Sequence, residues 1–250
     1  MNEKDNNTEN LTKTLEIKDN SKRAKNLIII FWILTGVTAI GIISGYFELE
    51  LLKNAQLGEF IDENEANASD LRQGIIGLLQ TGLYITSIVL FLNWFRRAYG
   101  NLHRLGINYL KHKESMAVWF WFIPILFLFR PVQIMNEIWT QTQEKIKKYN
   151  SSYLMKSGGL IIGTWWTLFI LSNFVGRYVL KTVFKDDTVE QLIEGSQAMM
   201  ISDIMQIPEA LLVILIVFQL SKMETKLAEE VKKSGGNIVY NLPAGRQVNC

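Results

Sequence analysis

The sequence predicts an all-α integral membrane fold, a bundle of four transmembrane helices with one short re-entrant or interfacial helical segment. Three observations predict it. Long apolar runs at Asn26–Phe47, Gln73–Phe95, Ser157–Gly176 and a segment ending Ala210–Ser221 are almost free of charge. A helix rising about 1.5 Å per residue needs roughly 20 such residues to cross about 30 Å of hydrocarbon. A fifth run, Ser115–Phe129, is too short and contains Pro124. Finally, the 26 Lys and Arg residues divide unevenly only if that fifth run does not cross.

Residues 1–25 are polar and rich in Asn and Lys, and read as a disordered cytoplasmic tail. The first apolar run covers 22 residues, longer than the core of a signal peptide, and ends Gly45-Tyr46-Phe47-Glu48 without a small-residue cleavage pattern. It reads as a retained span over 26–47. The following loop, Glu48–Arg72, carries seven carboxylates against Lys53 and Arg72. The second span is expected over 73–95.

Pro124 lacks a backbone donor and disfavours helix at Ile123, so 115–129 reads as a re-entrant or in-plane segment. Non-helical backbone at membrane depth must be buried in protein or line a wet cavity. Pro131 is suited to the first turn of another helix. That helix, 131–146, sets Met135, Ile138, Trp139, Thr142 and Ile146 on one side and Gln133, Asn136, Glu137, Gln141 and Glu144 on the other. Lys145, Lys147 and Lys148 close it, as expected of an interfacial helix on the inner leaflet. Spans over 157–177 and 201–221 follow. Residues 222–250 are expected to form a helix extension into water, supported by a Glu229–Lys233 pair, then a tail after Gly235-Gly236.

With four spans and the N-terminus inside, 21 Lys and Arg lie inside and five outside. Basic loops stay cytoplasmic. The expected location is a bacterial inner membrane, multi-pass, with both termini cytoplasmic.

The stretch from Trp94 to Trp139 carries Trp94, Arg97, Asn101, Leu102 and Gly106, then Ala117, Trp121 and Pro124, then Arg130-Pro131, Met135, Glu137 and Trp139. In this it resembles the bacterial membrane proteins grouped as domain of unknown function family 4328, whose pattern runs W-x-x-R-x-x-x-N-L, W-x-x-P, R-P, E-x-W. The likeness extends to residues 75–225. Phe127 stands where the family often has Asn, and Glu114-Ser115 replaces a common Ser-Pro. The resemblance implies a helical bacterial membrane protein with a thinner polar lining in that loop, and implies no activity.

Two groups of residues are candidate sites. Asp203, Gln206 and Glu209 recur at i+3 steps in the last span, with Arg177 closing the span before. A carboxylate at mid-span costs about 2.5–3.5 kcal/mol, so Glu209 should face water or a partner such as Arg177. This is either a proton or cation site or a structural ion pair. The second group is Trp94, Arg97, Asn101, Arg130 and Glu137 at the expected inner face. It would hold anionic phospholipid or phosphate, or form structural bridges from Arg97 or Arg130 to Glu137.

Gly41-x-x-x-Gly45 and Gly159-x-x-x-Gly163 would permit close helix approach within the bundle or in a homo-oligomer. His103 and His112 are nine residues apart and read as surface residues. The only cysteine, Cys250, excludes an internal disulfide and a Cys-based zinc site. A net charge of +2 without a basic aromatic stripe gives no reason to expect nucleic acid. No H-E-x-x-H, G-x-S-x-G, Walker A or G-x-G-x-x-G pattern is present. No catalytic residue, metal ligand or cofactor is therefore expected. The function reads as a non-enzymatic accessory or interaction protein with the lipid bilayer, and a homo-oligomer or another membrane protein, as partners. A small ion- or proton-linked transporter using Glu209, or less readily a lipid-modifying enzyme, is the alternative.

Overall fold

The computed structural model describes residues 17–107, 110–183 and 188–234. Seven helices occupy them: α1 (Ser21–Gln56), α2 (Glu63–Arg104), α3 (Met116–Trp119), α4 (Pro124–Phe127), α5 (Arg130–Tyr149), α6 (Gly159–Val183) and α7 (Val189–Lys233). No strand occurs among the described residues.

Helices α1, α2, α6 and α7 are each long and apolar enough to cross a membrane, so this is a helical membrane protein. Their most apolar 18-residue windows are only 11–28% buried in protein. Ile40, Leu78, Ile85, Phe174 and Leu215 are among the large side chains left bare. Water would not tolerate so much continuous apolar surface, and lipid does. The expected spans over 26–47, 73–95 and 201–221 fall inside α1, α2 and α7, and that over 157–177 starts two residues before α6; every one of the four helices extends beyond its span at one or both ends.

The chain divides into two compact units. Unit 2 comprises 26–90 and 163–216. Its interior is made by Leu34, Thr38, Ile76, Trp165, Val213 and Ile216. Pro208 lies inside α7 without ending it. The backbone carbonyl it leaves unpaired is tolerable in a spanning helix, where neighbouring groups can compensate.

Unit 1 comprises 1–25, 91–162 and 217–250. Its core holds Trp94, Phe95, Tyr99, Leu102, Ile134, Met135, Ile138 and Ile146, all nearly inaccessible. Helix α2 ends in this unit at Gly106, whose φ of +69° suits glycine. The Gly106 amide donates to the His103 carbonyl and the Ile107 amide to that of Leu102, the paired bonds of a Schellman ending.

Both prolines of the central segment act as expected. Ile123 is extended (φ −98°, ψ 112°) and Pro124 opens α4. Pro131 lies in the first turn of α5. The segment 115–129 is therefore two single turns, α3 and α4, rather than one helix. Trp119, Phe122, Ile125 and Leu128 are exposed on it, while Ala117 and Phe120 are buried. Trp121 meets Phe91 edge-on at 5.4 Å and Phe95 at 6.0 Å.

Several expectations need correction. Residues 17–25 are ordered rather than a free tail: Ile17 and Asn20 are buried, and α1 starts at Ser21. Residues 1–16 lie outside the described set. The apolar stripe of α5 is covered by protein, because Met135, Ile138, Trp139, Thr142 and Ile146 are all buried in unit 1. The C-terminal extension of α7 is packed too, through Met223, Leu227 and Val231. Lys233 there pairs with Glu230 at 3.4 Å in place of Glu229. Gly235-Gly236 and the tail after it lie outside the described residues.

Candidate functional site

In unit 2, three helices supply polar groups to a cavity of about 330 Å³. Helix α1 contributes Gly41, Gly45 and Glu48, α2 contributes Gln73, Gly77 and Gln80, and α7 contributes Ser196 and Asp203. Each set has the 3-, 4- or 7-residue spacing of one helix face. The Ser196 hydroxyl donates to Glu48 Oε2 at 3.1 Å. Gln80 Nε2 donates to both Asp203 oxygens at 3.1 Å. A Cβ added at Gly41 would lie 2.9 Å from Gln80 Nε2 and 3.0 Å from Asp203 Oδ2. Glycine there lets this hydrogen-bonded pair approach the α1 backbone.

Of the residues proposed from sequence, Asp203 thus lines the cavity. Gln206 lies one turn further and accepts a 2.6 Å hydrogen bond from Thr38. Glu209 is half-buried and has Tyr84 and Ser172 within electrostatic reach. Arg177 is exposed and makes no ion pair with Glu209. The expected Arg177–Glu209 bridge is therefore not formed. The Gly159-x-x-x-Gly163 pair makes no close approach within the chain, since a Cβ at Gly163 would meet nothing there within 4 Å.

Unit 1 takes the inner-face group apart. Asn101 is buried, and its side chain binds Lys18 twice, at 3.1 Å to the amide and 2.9 Å to the carbonyl. It also donates to Glu224 at 3.4 Å. Trp94 is fully buried, and its carbonyl accepts from Asn20. Glu137 accepts a 3.0 Å hydrogen bond from the Tyr99 hydroxyl. The expected bridges from Arg97 and Arg130 to Glu137 are absent among the described residues. Arg130 turns instead to Gln133 at 2.9 Å and approaches His112 at 3.5 Å. Arg97 has Arg23 and Arg104 within electrostatic reach, with Glu114 and Asp19 opposing.

Sequence reasoning missed Glu114, which pairs with Arg96 at 3.5 Å and Arg104 at 3.0 Å. It also missed Gln143, which is buried and accepts from the Lys156 amide at 2.6 Å. The histidines are half-buried rather than on the surface. His103 stands edge-on to Tyr99, and His112 edge-on to Phe120. Burial and the Arg130 charge push the His112 imidazole below its ordinary value of 6.5, with Lys111 adding to this and Glu137 opposing it. No group of three or more His, Cys, Asp or Glu side chains suited to a metal ion occurs among the described residues.

The family model described as Domain of unknown function (DUF4328) matches residues 58–222, more than half of the chain. The chain belongs to this family. Comparison with curated proteins and with solved structures gives no match.

In this DUF4328 protein the residues that carry the family likeness lie in unit 1, where most of them have structural duties. Gly106 ends α2, Asn101 ties α2 to the Lys18 backbone just before α1, and Pro124 and Pro131 start helices. Trp139 donates to the Lys156 carbonyl at 2.8 Å. A Cβ on Gly158 would fall 2.6 Å from the Trp139 ring nitrogen, so the indole lies directly on that glycine. Phe127, the departure from the family pattern, packs edge-on to Trp121 at 6.1 Å.

Proposed function

We propose that this is a four-span protein of the bacterial inner membrane with both termini cytoplasmic, a non-enzymatic accessory protein whose unit 1 holds anionic phospholipid at the inner leaflet. The observation that carries this reading is a set of hydrogen bonds inside unit 1. Asn101, before the proline segment, binds Lys18 and Glu224. Asn150, after it, donates to Glu230 at 3.3 Å. Chain on both sides of 115–129 is thereby tied to the same end of α7. A fifth crossing would have to return within this distance, and two single turns cannot span about 30 Å twice. The contact of Trp121 with Phe91 and Phe95, at the last turns of the second apolar run, supports a shallow dip. Exposed Trp119, Phe122 and Ile125 suit the interface and hydrocarbon edge.

The excess of Lys and Arg on that side supports a cytoplasmic assignment. Arg97 has both Arg23 and Arg104 within electrostatic reach, and among the described residues Arg104 alone of the three has an ion pair. Guanidinium forks match phosphate oxygens, and an anionic headgroup would relieve their mutual repulsion. Purification in mild detergent followed by phospholipid analysis tests this. The wild-type chain should retain phosphatidylglycerol or cardiolipin, and Arg23→Ala with Arg97→Ala should lose most of it. Equal retention by the double variant, with its fold intact, would defeat the lipid assignment. A second reading, binding or movement of a small cation, is favoured by the cavity in unit 2.

A further inference from the structure

The cavity of unit 2 has an unusual electrostatic balance. Glu48 and Asp203 both line it, and no Lys, Arg or His does so among the described residues. Arg72 is within electrostatic reach of Glu48, as is Asp70 with opposite effect. The Arg72 guanidinium, however, donates to the Ser44 hydroxyl at 2.8 Å and the Ser69 hydroxyl at 3.1 Å, and pairs with neither cavity carboxylate. Each carboxylate meets a single neutral donor, Ser196 or Gln80. Ionised carboxylates have roughly four acceptor sites each, so most of theirs remain open. Buried charges are ordinarily paired or coordinated.

Two further features define what could complete the site. Gln73 lines this cavity, and its amide nitrogen, enclosed by protein, has no hydrogen-bond partner among the described residues. A buried polar atom left so is costly, and a turn of the Gln73 side chain into the cavity would give a ligand oxygen that donor. Ile76, Val179, Met199 and Met200 supply apolar wall. The volume, about 330 Å³, is that of a small-molecule pocket and many times the space of one water.

We propose that this cavity binds a small organic ammonium that also carries an oxygen, its cationic head on Asp203, its oxygen towards Gln73, and Glu48, about 10 Å further along α1 from the Asp203 level, adding its negative field. The thioethers of Met199 and Met200 and the Ile76 side chain cover its carbon skeleton. Free amino alcohols and ethanolamine-type lipid headgroups share this chemistry. The proposal deepens the second reading above and rests on the membrane placement of unit 2. It does not depend on the sidedness of the spans or on the arginines of unit 1.

The full chain in phosphatidylglycerol nanodiscs is titrated with radiolabelled choline, ethanolamine and tyramine. At least one should bind saturably. Asp203→Asn and Glu48→Gln should each weaken it tenfold or more, while Glu50→Gln, an exposed neighbour, should not. The neutral isostere of choline, 3,3-dimethylbutan-1-ol, should fail to compete. Gly41→Ala serves as a second route, since its methyl would displace Gln80 and Asp203 without removing a charge, and should also weaken binding. Adding phosphatidylethanolamine to the discs assigns the source: competition means the headgroup, and unchanged binding means the free amine. Absence of saturable binding for all three amines overturns the proposal. So does binding that survives both carboxylate substitutions, or competition by the neutral isostere. Because none of these readouts uses labelling from one side or retained anionic lipid, a failure here is separable from failure of the proposed topology or lipid role.

Discussion

The two units treat their carboxylates differently. In unit 1 acids are held by charged, phenolic or amide donors. Glu114 lies between Arg96 and Arg104, Glu137 accepts from Tyr99, and Glu230 takes Asn150 and Lys233. Glu224 receives Asn101, which also fixes the Lys18 backbone. In unit 2 Glu48 and Asp203 each meet one neutral donor among the described residues, as Glu137 does, but they line a cavity of about 330 Å³. Carboxylates that join separate segments stabilise a particular arrangement of chain. Carboxylates that face a void cost stability and persist for another reason.

Loss of Asn101 should break this contrast most severely. Asn101→Ala removes three hydrogen bonds in a buried place, and at about 1 kcal/mol each the loss is about 3 kcal/mol. Thermal unfolding in detergent should show the drop. Asp203→Asn is the matched change in unit 2. It keeps an acceptor for Gln80 while removing a charge that has no cationic partner, so the melting temperature should hold or rise. A drop comparable with that of Asn101→Ala would place Asp203 among the structural acids.

A smaller effect concerns His112, which lies outside the membrane-spanning helices. Its imidazole is held below the ordinary 6.5 by burial first and Arg130 second. The unfolded chain then takes up a proton more readily than the folded one. Stability from this group is complete above about pH 6.5 and declines as the pH falls below it. Melting curves between pH 7.5 and 5.5 should show a modest fall that His112→Gln flattens. A slope unchanged in the variant would assign the acid sensitivity elsewhere.

The spans were legible because hydrocarbon demands long uncharged runs, and that demand is local in sequence. The prolines were legible for the same reason: Pro124 and Pro131 act on their own and adjacent residues. The covering of α5 was not. Its amphipathic stripe reads the same whether it faces lipid or protein, and only the long-range contacts of Ile138 and Ile146 decide. The candidate site was half legible. Asp203 stood out as an acid in an apolar stretch, but Glu209 drew more weight by lying deeper. The cavity needed three helices together. Its trace in the sequence is the repeated spacing Gly41, Gly45, Glu48 and Gln73, Gly77, Gln80, small and polar residues along one face of each span. Arg177 misled because proximity to a span end says nothing of which way a helix is turned.

The central claim is that the chain on both sides of the proline segment lies on the side of the membrane that holds α7's C-terminal end. Single cysteines in a Cys250→Ser background test it most directly, using a membrane-impermeant maleimide on intact cells. Ser152→Cys and Ser234→Cys, both at exposed positions, should stay unlabelled until the cells are opened, while Asn67→Cys, exposed in the acidic first turns of α2, should react at once. Labelling of Ser152→Cys from outside, with Ser234→Cys still protected, would contradict the four-span account.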